Sequence, residues 1–281
     1  MIRETSGALI LIGGGEKKEG RAPILREVCR RAHGAKGKLV LVTAATQVPL
    51  AYMDTYLPLF HDLGVRNVEV LDVRRRADGY DEKNLAKLCG ATVVFFTGGQ
   101  QLRIASQLGG TPVFQALHEL HANGATIAGT SAGAAMMPDT MLVSGSSDES
   151  PDVSRISMAP GIGLLAGVVV DSHFSQRGRI GRLMAAVAQN PNNMGLGIDE
   201  DTAIVVEPDR VFRVIGSGGV HVVDGAGISY SSLVERDSHS KIGLHDVRLH
   251  VLRQGHRFDL NRARPVGPHE PAAMPELLRV K

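Results

Sequence analysis

The chain has 281 residues, of which 43% are hydrophobic and 21% are charged, and its formal net charge is +2. This balance is typical of a soluble globular protein with one large α/β domain or two smaller ones, and it provides no global attraction to nucleic acid or to an anionic membrane. No run approaches the roughly 20 apolar residues of a membrane span, and an aromatic content of 4% without tryptophan leaves no stacking platform for bases.

Apolar runs alternate with helical patterns through the first half of the chain. The pattern predicts, in chain order, a strand at 8–12, a helix at 23–32, a strand at 38–43, a helix at 52–63, a strand at 68–71, a helix at 84–89, a strand at 92–96, a helix at 113–122 and a strand at 125–128. This alternation is typical of a doubly wound, largely parallel sheet. Three glycines, Gly13 to Gly15, follow the first strand, and we predict a tight turn there because the spacing of a phosphate-binding loop is missing.

The pattern changes after residue 151. It predicts a strand at 168–170, a helix at 179–189, a strand at 203–206 and then short strands at 211–215, 220–223 and 247–252. We interpret these short strands as antiparallel additions to the same domain. The predicted fold is therefore a single three-layer α/β domain over residues 1–281, in which the proline-rich residues 265–281 form a surface tail.

Two cysteines, Cys29 and Cys89, lie in apolar, helix-like surroundings and have no partner pattern such as C-x-x-C. Isolated cysteines of this kind are usually small buried hydrophobes, so a disulfide scaffold is not expected. No long apolar segment precedes Gly13, which gives no indication of a signal peptide. We therefore expect a cytoplasmic protein.

A G-x-S-x-G sequence, Gly129-Thr130-Ser131-Ala132-Gly133, lies between the predicted strand at 125–128 and a helix start at 132–137. A serine nucleophile on a sharp strand-to-helix turn needs this context. The chain contains 33 glycines, however, so the pattern can arise by chance. The motif alone leaves a nucleophile and a structural turn equally open.

A serine nucleophile needs a base within hydrogen-bond reach and a third group that orients the base. Of the 11 histidines, His173 is the best placed, because it follows the carboxyl end of the predicted strand at 168–170. Three acids, Asp199, Glu200 and Asp201, precede the strand at 203–206. Burying carboxylates at this place costs free energy unless they are solvated or paired. We therefore expect one of them to be the partner of the base; a solvated acidic turn is the alternative.

Three arginines, Arg177, Arg179 and Arg182, follow His173 closely. Guanidinium groups bind carboxylates through two parallel hydrogen bonds, so the cluster indicates a substrate with several carboxylates; a basic surface patch is the alternative. Backbone amides of Gly99 and Ala132 could form an oxyanion hole. No histidine or cysteine spacing indicates a metal site.

Several segments together resemble the cyanophycinases of peptidase family S51, a family that also contains aspartyl dipeptidase. The resemblance runs from residue 11 to about residue 250. The segments that carry it are residues 11–16, 96–103, 129–135, 144–147, 171–174 and 195–203. It implies Ser131 as the nucleophile, His173 as the base and Glu200 as the third member. The order Ser, His, acid differs from that of the α/β-hydrolases and disfavours that fold.

The resemblance also implies the substrate. Cyanophycin is a poly-aspartate backbone with arginine joined to each β-carboxyl by an isopeptide bond, and the family releases β-aspartyl-arginine dipeptides. The chain is therefore expected to be a serine isopeptidase that acts as an exopeptidase, is dimeric, and uses no cofactor or metal. The implied substrate contacts are Gln101, Asp171, Ser172, Arg177, Arg179 and Arg182.

Two positions depart from the family pattern. Ser172 stands where the family usually has glutamine, and Gln100 stands where an aspartate is common. Serine is shorter, so a polar contact is lost or replaced by water, which concerns the choice of substrate more than the reaction. Asp171, or the acids Asp148 and Glu149, could meet the arginine side chains of the polymer. The alternatives are a related peptidase acting on other aspartyl or β-aspartyl peptides, and a catalytically silent binding protein.

Overall fold

The structure is a computed structural model that describes residues 6–32, 36–145, 150–153, 156–233 and 241–267. Asp148, Glu149 and the part of the predicted tail beyond residue 267 lie outside the described residues. Among the described helices, none combines the length and the apolar character that a membrane span requires.

Strands and helices alternate in the first half of the chain, as predicted. They are β1 (Leu9–Ile12), α1 (Pro23–Arg31), β2 (Lys38–Val42), α2 (Pro49–Asp62), β3 (Asn67–Leu71), α3 (Glu82–Leu88), β4 (Val93–Phe96), α4 (Gln101–Leu108), α5 (Pro112–Ala122) and β5 (Thr126–Thr130). Helix α4 was not predicted, because it is short and follows the Gly98-Gly99 pair, which indicates a loop.

The second half of the chain contains more strands than were predicted from the sequence. Its helices are α6 (Ala132–Ala135) and α7 (Ile180–Gln189). Its strands are β6 (Thr140–Ser144), β7 (Ser157–Pro160), β8 (Val168–Ser172), β9 (Met194–Ile198), β10 (Thr202–Val206), β11 (Val211–Gly216), β12 (Val220–Asp224), β13 (Tyr230–Ser231), β14 (Leu244–His245), β15 (Arg248–Leu252), β16 (Arg257–Asp259) and β17 (Arg264–Val266). Strand β17 includes the first residues of the predicted tail, and Pro265 is exposed in this edge strand, where proline is tolerated.

The main sheet has nine strands in the order β17-β16-β11-β10-β1-β5-β4-β2-β3. The five strands from β1 to β3 in this order are parallel, and β10, β11, β16 and β17 extend the sheet in antiparallel fashion. Alternate side chains of β1 face opposite layers. Leu9 and Leu11 pack in the core under α4 and α5, whereas Ile10 and Ile12 pack under α1 and α2. The predicted three-layer α/β fold is therefore confirmed.

A second sheet has the order β15-β12-β9-β8, and its β8 and β9 are parallel. The predicted C-terminal strands are thus divided between two sheets. Strand β9 was missed because Gly195 and Gly197 interrupt its apolar pattern. A Cβ at Gly197 would lie 2.5 Å from the ring of Phe174, so glycine allows this ring to pack directly on the strand.

Both cysteines are free thiols. Cys29 is buried in α1, where desolvation raises the pKa of its thiol to about 12, and Cys89 is exposed. Burial of Cys29 agrees with its expected role as a small hydrophobe in the core, whereas the same expectation was wrong for Cys89.

Candidate active site

Ser131 lies on a strained turn between β5 and α6. Its φ of 53° and ψ of −111° are unusual for a residue with a side chain, and its backbone N–H donates to the carbonyl of Ile12 at 2.9 Å. The turn follows the central parallel strand β5 without an intervening loop. Strained strand-to-helix turns of this kind present a serine hydroxyl at the top of a sheet.

The structure brings the three predicted triad residues together. The Ser131 hydroxyl lies 2.9 Å from Nε2 of His173, and Nδ1 of His173 lies 2.7 Å from Oε1 of Glu200. Because the carboxylate can only accept, Nδ1 carries the proton of the neutral imidazole, and Nε2 is left to accept from the serine. His173 follows β8, so the triad spans both sheets.

The glycine loop after β1 supports this arrangement from below. The backbone N–H of His173 donates to Gly13 at 2.8 Å. A Cβ at Gly14, whose φ is 96°, would lie 2.3 Å from Cε1 of His173. The prediction of a tight turn into the next helix was wrong, because α1 begins only at Pro23. The intervening residues are instead used to build the site.

The three acids before β10 have separate functions. Asp199 accepts backbone N–H groups of Ser175 at 3.0 Å and of Gly219 at 2.9 Å. Asp201 accepts from the backbone of Lys17 and the hydroxyl of Ser217; burial alone would raise its pKa, but these hydrogen bonds outweigh burial and lower it. Only Glu200 reaches His173.

The two predicted oxyanion amides lie at the expected strand ends, Gly99 after β4 and Ala132 directly after Ser131. Within the described part of the chain, neither N–H group donates a hydrogen bond. Gly99 also lines the cleft beside Ser131. The role of these two N–H groups as an oxyanion hole stays a prediction.

Asp171, Arg179 and Arg182 form a buried cluster behind His173. Arg182 donates to the two oxygens of Asp171 at 2.8 and 2.6 Å, and Arg179 donates to the same carboxylate at 3.0 Å. Only 1% of the Asp171 side chain is exposed. Burial lowers the pKa of Arg179, and the charge of Asp171 opposes that effect. These guanidinium groups satisfy a protein carboxylate, so their direct contact with substrate stays a prediction.

The other predicted substrate contacts differ in their placement. Arg177 lines the cleft, whereas Arg179 and Arg182 pair with Asp171. Gln101 is the first residue of α4, and its side-chain amide donates to Leu142 at 2.6 Å. Ser172 is buried at the end of β8, and its carbonyl accepts from Arg179. Arg177 is therefore the arginine that the structure places at the cleft.

The cleft beside Ser131 has a volume of about 360 Å³. Four of its lining side chains, Glu16, Lys18, Tyr52 and Tyr56, were not predicted. The Glu16 carboxylate accepts from the Tyr56 hydroxyl and, at 2.7 Å, from that of Thr130. The sequence could have indicated Glu16 as a site residue, because it is a charged residue shortly after a central buried strand.

The chain is similar to known peptidases in sequence and in fold. The family model of Peptidase family S51 matches residues 9–214, which include the whole triad. The chain is 38% identical over 255 residues to a cyanophycinase of Synechococcus elongatus, covering 90% of this chain and 79% of the relative. It is 36% identical over 260 residues to a cyanophycinase of Geminocystis herdmanii, covering 92% and 96%. A peptidase from an acI-B1 Actinobacterium has the same fold, with a TM-score of 0.70 at 21% identity over 92% of this chain and 98% of that one.

Proposed function

The chain belongs to peptidase family S51, and from this membership we propose that it is a serine-type exopeptidase that degrades cyanophycin. The observation that carries the proposal is the hydrogen-bonded series from Ser131 through His173 to Glu200. The names of the curated relatives support the choice of substrate.

The mechanism follows from the positions of these groups. His173 accepts the proton of the Ser131 hydroxyl as the serine oxygen attacks the scissile carbonyl, and Glu200 stabilises the imidazolium that forms. The amides of Gly99 and Ala132 donate to the oxyanion. His173 then gives the proton to the leaving amine, and the acyl-enzyme ester is hydrolysed by water in the reverse sequence of proton transfers.

The chemistry of the product decides which bond breaks. A β-aspartyl-arginine dipeptide retains its isopeptide bond, so its release requires cleavage of the amide in the aspartate backbone. The expectation of an isopeptidase was therefore wrong. The proposed enzyme cleaves the main-chain bond next to an isopeptide-linked side chain. Arg177 lines the cleft, and its guanidinium suits a carboxylate of such a substrate.

A fluorophosphonate probe tests the serine type of the enzyme. We expect one covalent adduct per chain, located at Ser131 by peptide mass spectrometry, because His173 activates this hydroxyl. The Ser131→Ala variant is expected to remain unlabelled. A wild-type protein that failed to react under conditions that label other serine peptidases would contradict the serine-type assignment and favour a catalytically silent binding protein.

Ser172 favours a second candidate, in which the same triad cleaves other aspartyl or β-aspartyl peptides. We expect Ser172→Gln to change KM for cyanophycin several-fold while kcat changes little, because the residue lies next to His173 but outside the triad. Steady-state rates on cyanophycin and on short aspartyl dipeptides, for both proteins, provide the measurement. Higher kcat/KM on the dipeptides with wild-type protein would favour the second candidate.

A further inference from the structure

The ammonium of Lys18 marks a site for a cation in the cleft. It lies 3.6 Å from Oε1 of Glu16 and 3.4 Å from the Glu16 backbone carbonyl. It also lies 5.3 Å from the ring centroid of Tyr56, close enough for a cation–π contact. Three different groups therefore attract positive charge to one point beside the nucleophile. We call the site formed by Glu16, Lys18, Tyr52 and Tyr56 the cation pocket.

Glu16 is a charged group that requires compensation. Only 1% of its side chain is exposed, and the two hydroxyl groups that donate to it are neutral. A carboxylate has about four acceptor positions, so it can accept further hydrogen bonds from a cation. A buried carboxylate is strongly destabilised unless a positive charge lies close to it. Within the described residues, Lys18 is the one cation that pairs with it.

Lys18 occupies this site only loosely. Its distance to Oε1 exceeds that of an ordinary N–H···O hydrogen bond, and 38% of its side chain is exposed. The four-carbon stem can turn towards water at a low cost. The neighbouring Lys17 pairs with Asp201 instead, so the two lysines are not equivalent. The structure thus shows a cation site whose own cation is displaceable.

We propose that the cation pocket binds the guanidinium group of an arginine side chain of the substrate, which displaces the Lys18 ammonium. This inference rests on the proposed function, because the proposed substrate supplies the arginine side chain. A guanidinium has five donors and a flat face, so it can bond to both the Glu16 carboxylate and its backbone carbonyl while it stacks on an aromatic ring. The parallel rings of Tyr52 and Tyr56, with an interplanar angle of 8°, provide such a surface.

Glu16 is better placed than Asp171 to meet the arginine of the substrate. The two oxygens of Asp171 accept from Arg179 and Arg182 inside the protein. Glu16 lines the same cleft as Ser131. Arg177, on the same cleft, remains for a carboxylate of the substrate. The cleft is therefore expected to orient a zwitterionic unit with its cation at Glu16 and its anion at Arg177.

Binding of butylguanidinium to the Ser131→Ala protein tests this proposal without any turnover. Isothermal titration calorimetry is expected to show saturable binding of butylguanidinium and at least tenfold weaker binding of butylurea, which has a similar shape and no charge. Glu16→Gln is expected to weaken butylguanidinium binding by about tenfold or more, because one charged partner is lost. Lys18→Met is expected to strengthen binding several-fold, because the competing ammonium is removed.

Lys17→Met is the matched control, since it removes one positive charge from the adjacent residue, which pairs outside the cation pocket. Equal effects of Lys17→Met and Lys18→Met would overturn the proposal, as would unchanged binding in Lys18→Met. Lys18 is exposed, so this test stands even if Glu16→Gln does not fold. Failure here with normal cyanophycin cleavage by the wild-type enzyme would refute the cation pocket and leave the proposed function intact.

Discussion

Replacing His173 by alanine is expected to lower kcat for cyanophycin cleavage by about 10⁶, because a serine–histidine pair acts as a unit. His173 lies between the other two members, 2.9 Å from the Ser131 hydroxyl and 2.7 Å from Glu200. No other histidine is close enough in the described structure to replace it as the base of Ser131. The measurement is the steady-state rate of dipeptide release, followed by chromatography.

Glu200→Gln provides the comparison for the His173 variant. It keeps the shape of the side chain but removes the charge that stabilises the imidazolium, so a loss of about 10⁴ is expected. Circular dichroism and thermal unfolding would verify that both variants are folded. A His173→Ala enzyme that retained more than about one thousandth of wild-type activity would contradict the assignment of the base.

Asp171→Asn is expected to lower the free energy of unfolding by about 3–5 kcal/mol, the usual effect of breaking a buried ion pair from one side. Asp171 is the common partner of two guanidinium groups that are themselves mostly buried. Asparagine leaves Arg179 and Arg182 close together without a negative charge. Urea unfolding followed by circular dichroism gives the free energy of both proteins.

Asp224→Asn is the matched control. Asp224 lies at the end of β12 in the same sheet and is also buried, but its partner, Arg248, is 62% exposed. Ion pairs with an exposed partner contribute little, so a loss of about 1 kcal/mol or less is expected. Similar losses for the Asp171 and Asp224 variants would show that the Asp171 cluster is not a special source of stability.

The sequence predicted the part of the fold that depends on local apolar pattern. Strands β1 and β4 were recognisable because parallel strands that are buried on two faces consist of nearly continuous apolar residues. Strand β9 was not, because Gly195 and Gly197 are explained only by the side chains that pack against them. Those packing contacts belong to the tertiary structure and cannot be read from the local sequence pattern.

The candidate site shows the same division. Ser131 could be predicted from its motif, and His173 from its position after a strand end. Glu200 was singled out among three neighbouring acids only by the family resemblance, and the structure brings the three residues together. The arrangement of Arg179 and Arg182 around Asp171 could not be predicted. A cluster of arginines in a sequence indicates that carboxylates are bound, but it does not say whether they belong to the substrate or to the protein.

The products of cyanophycin cleavage test the central claim most directly. Purified polymer is incubated with the wild-type enzyme, and the soluble fraction is analysed by liquid chromatography and mass spectrometry, with the Ser131→Ala protein as the control. We predict that β-aspartyl-arginine is the main product with the wild-type enzyme and that the control releases none. Free arginine with residual poly-aspartate, or equal dipeptide release by the Ser131→Ala protein, would contradict this account.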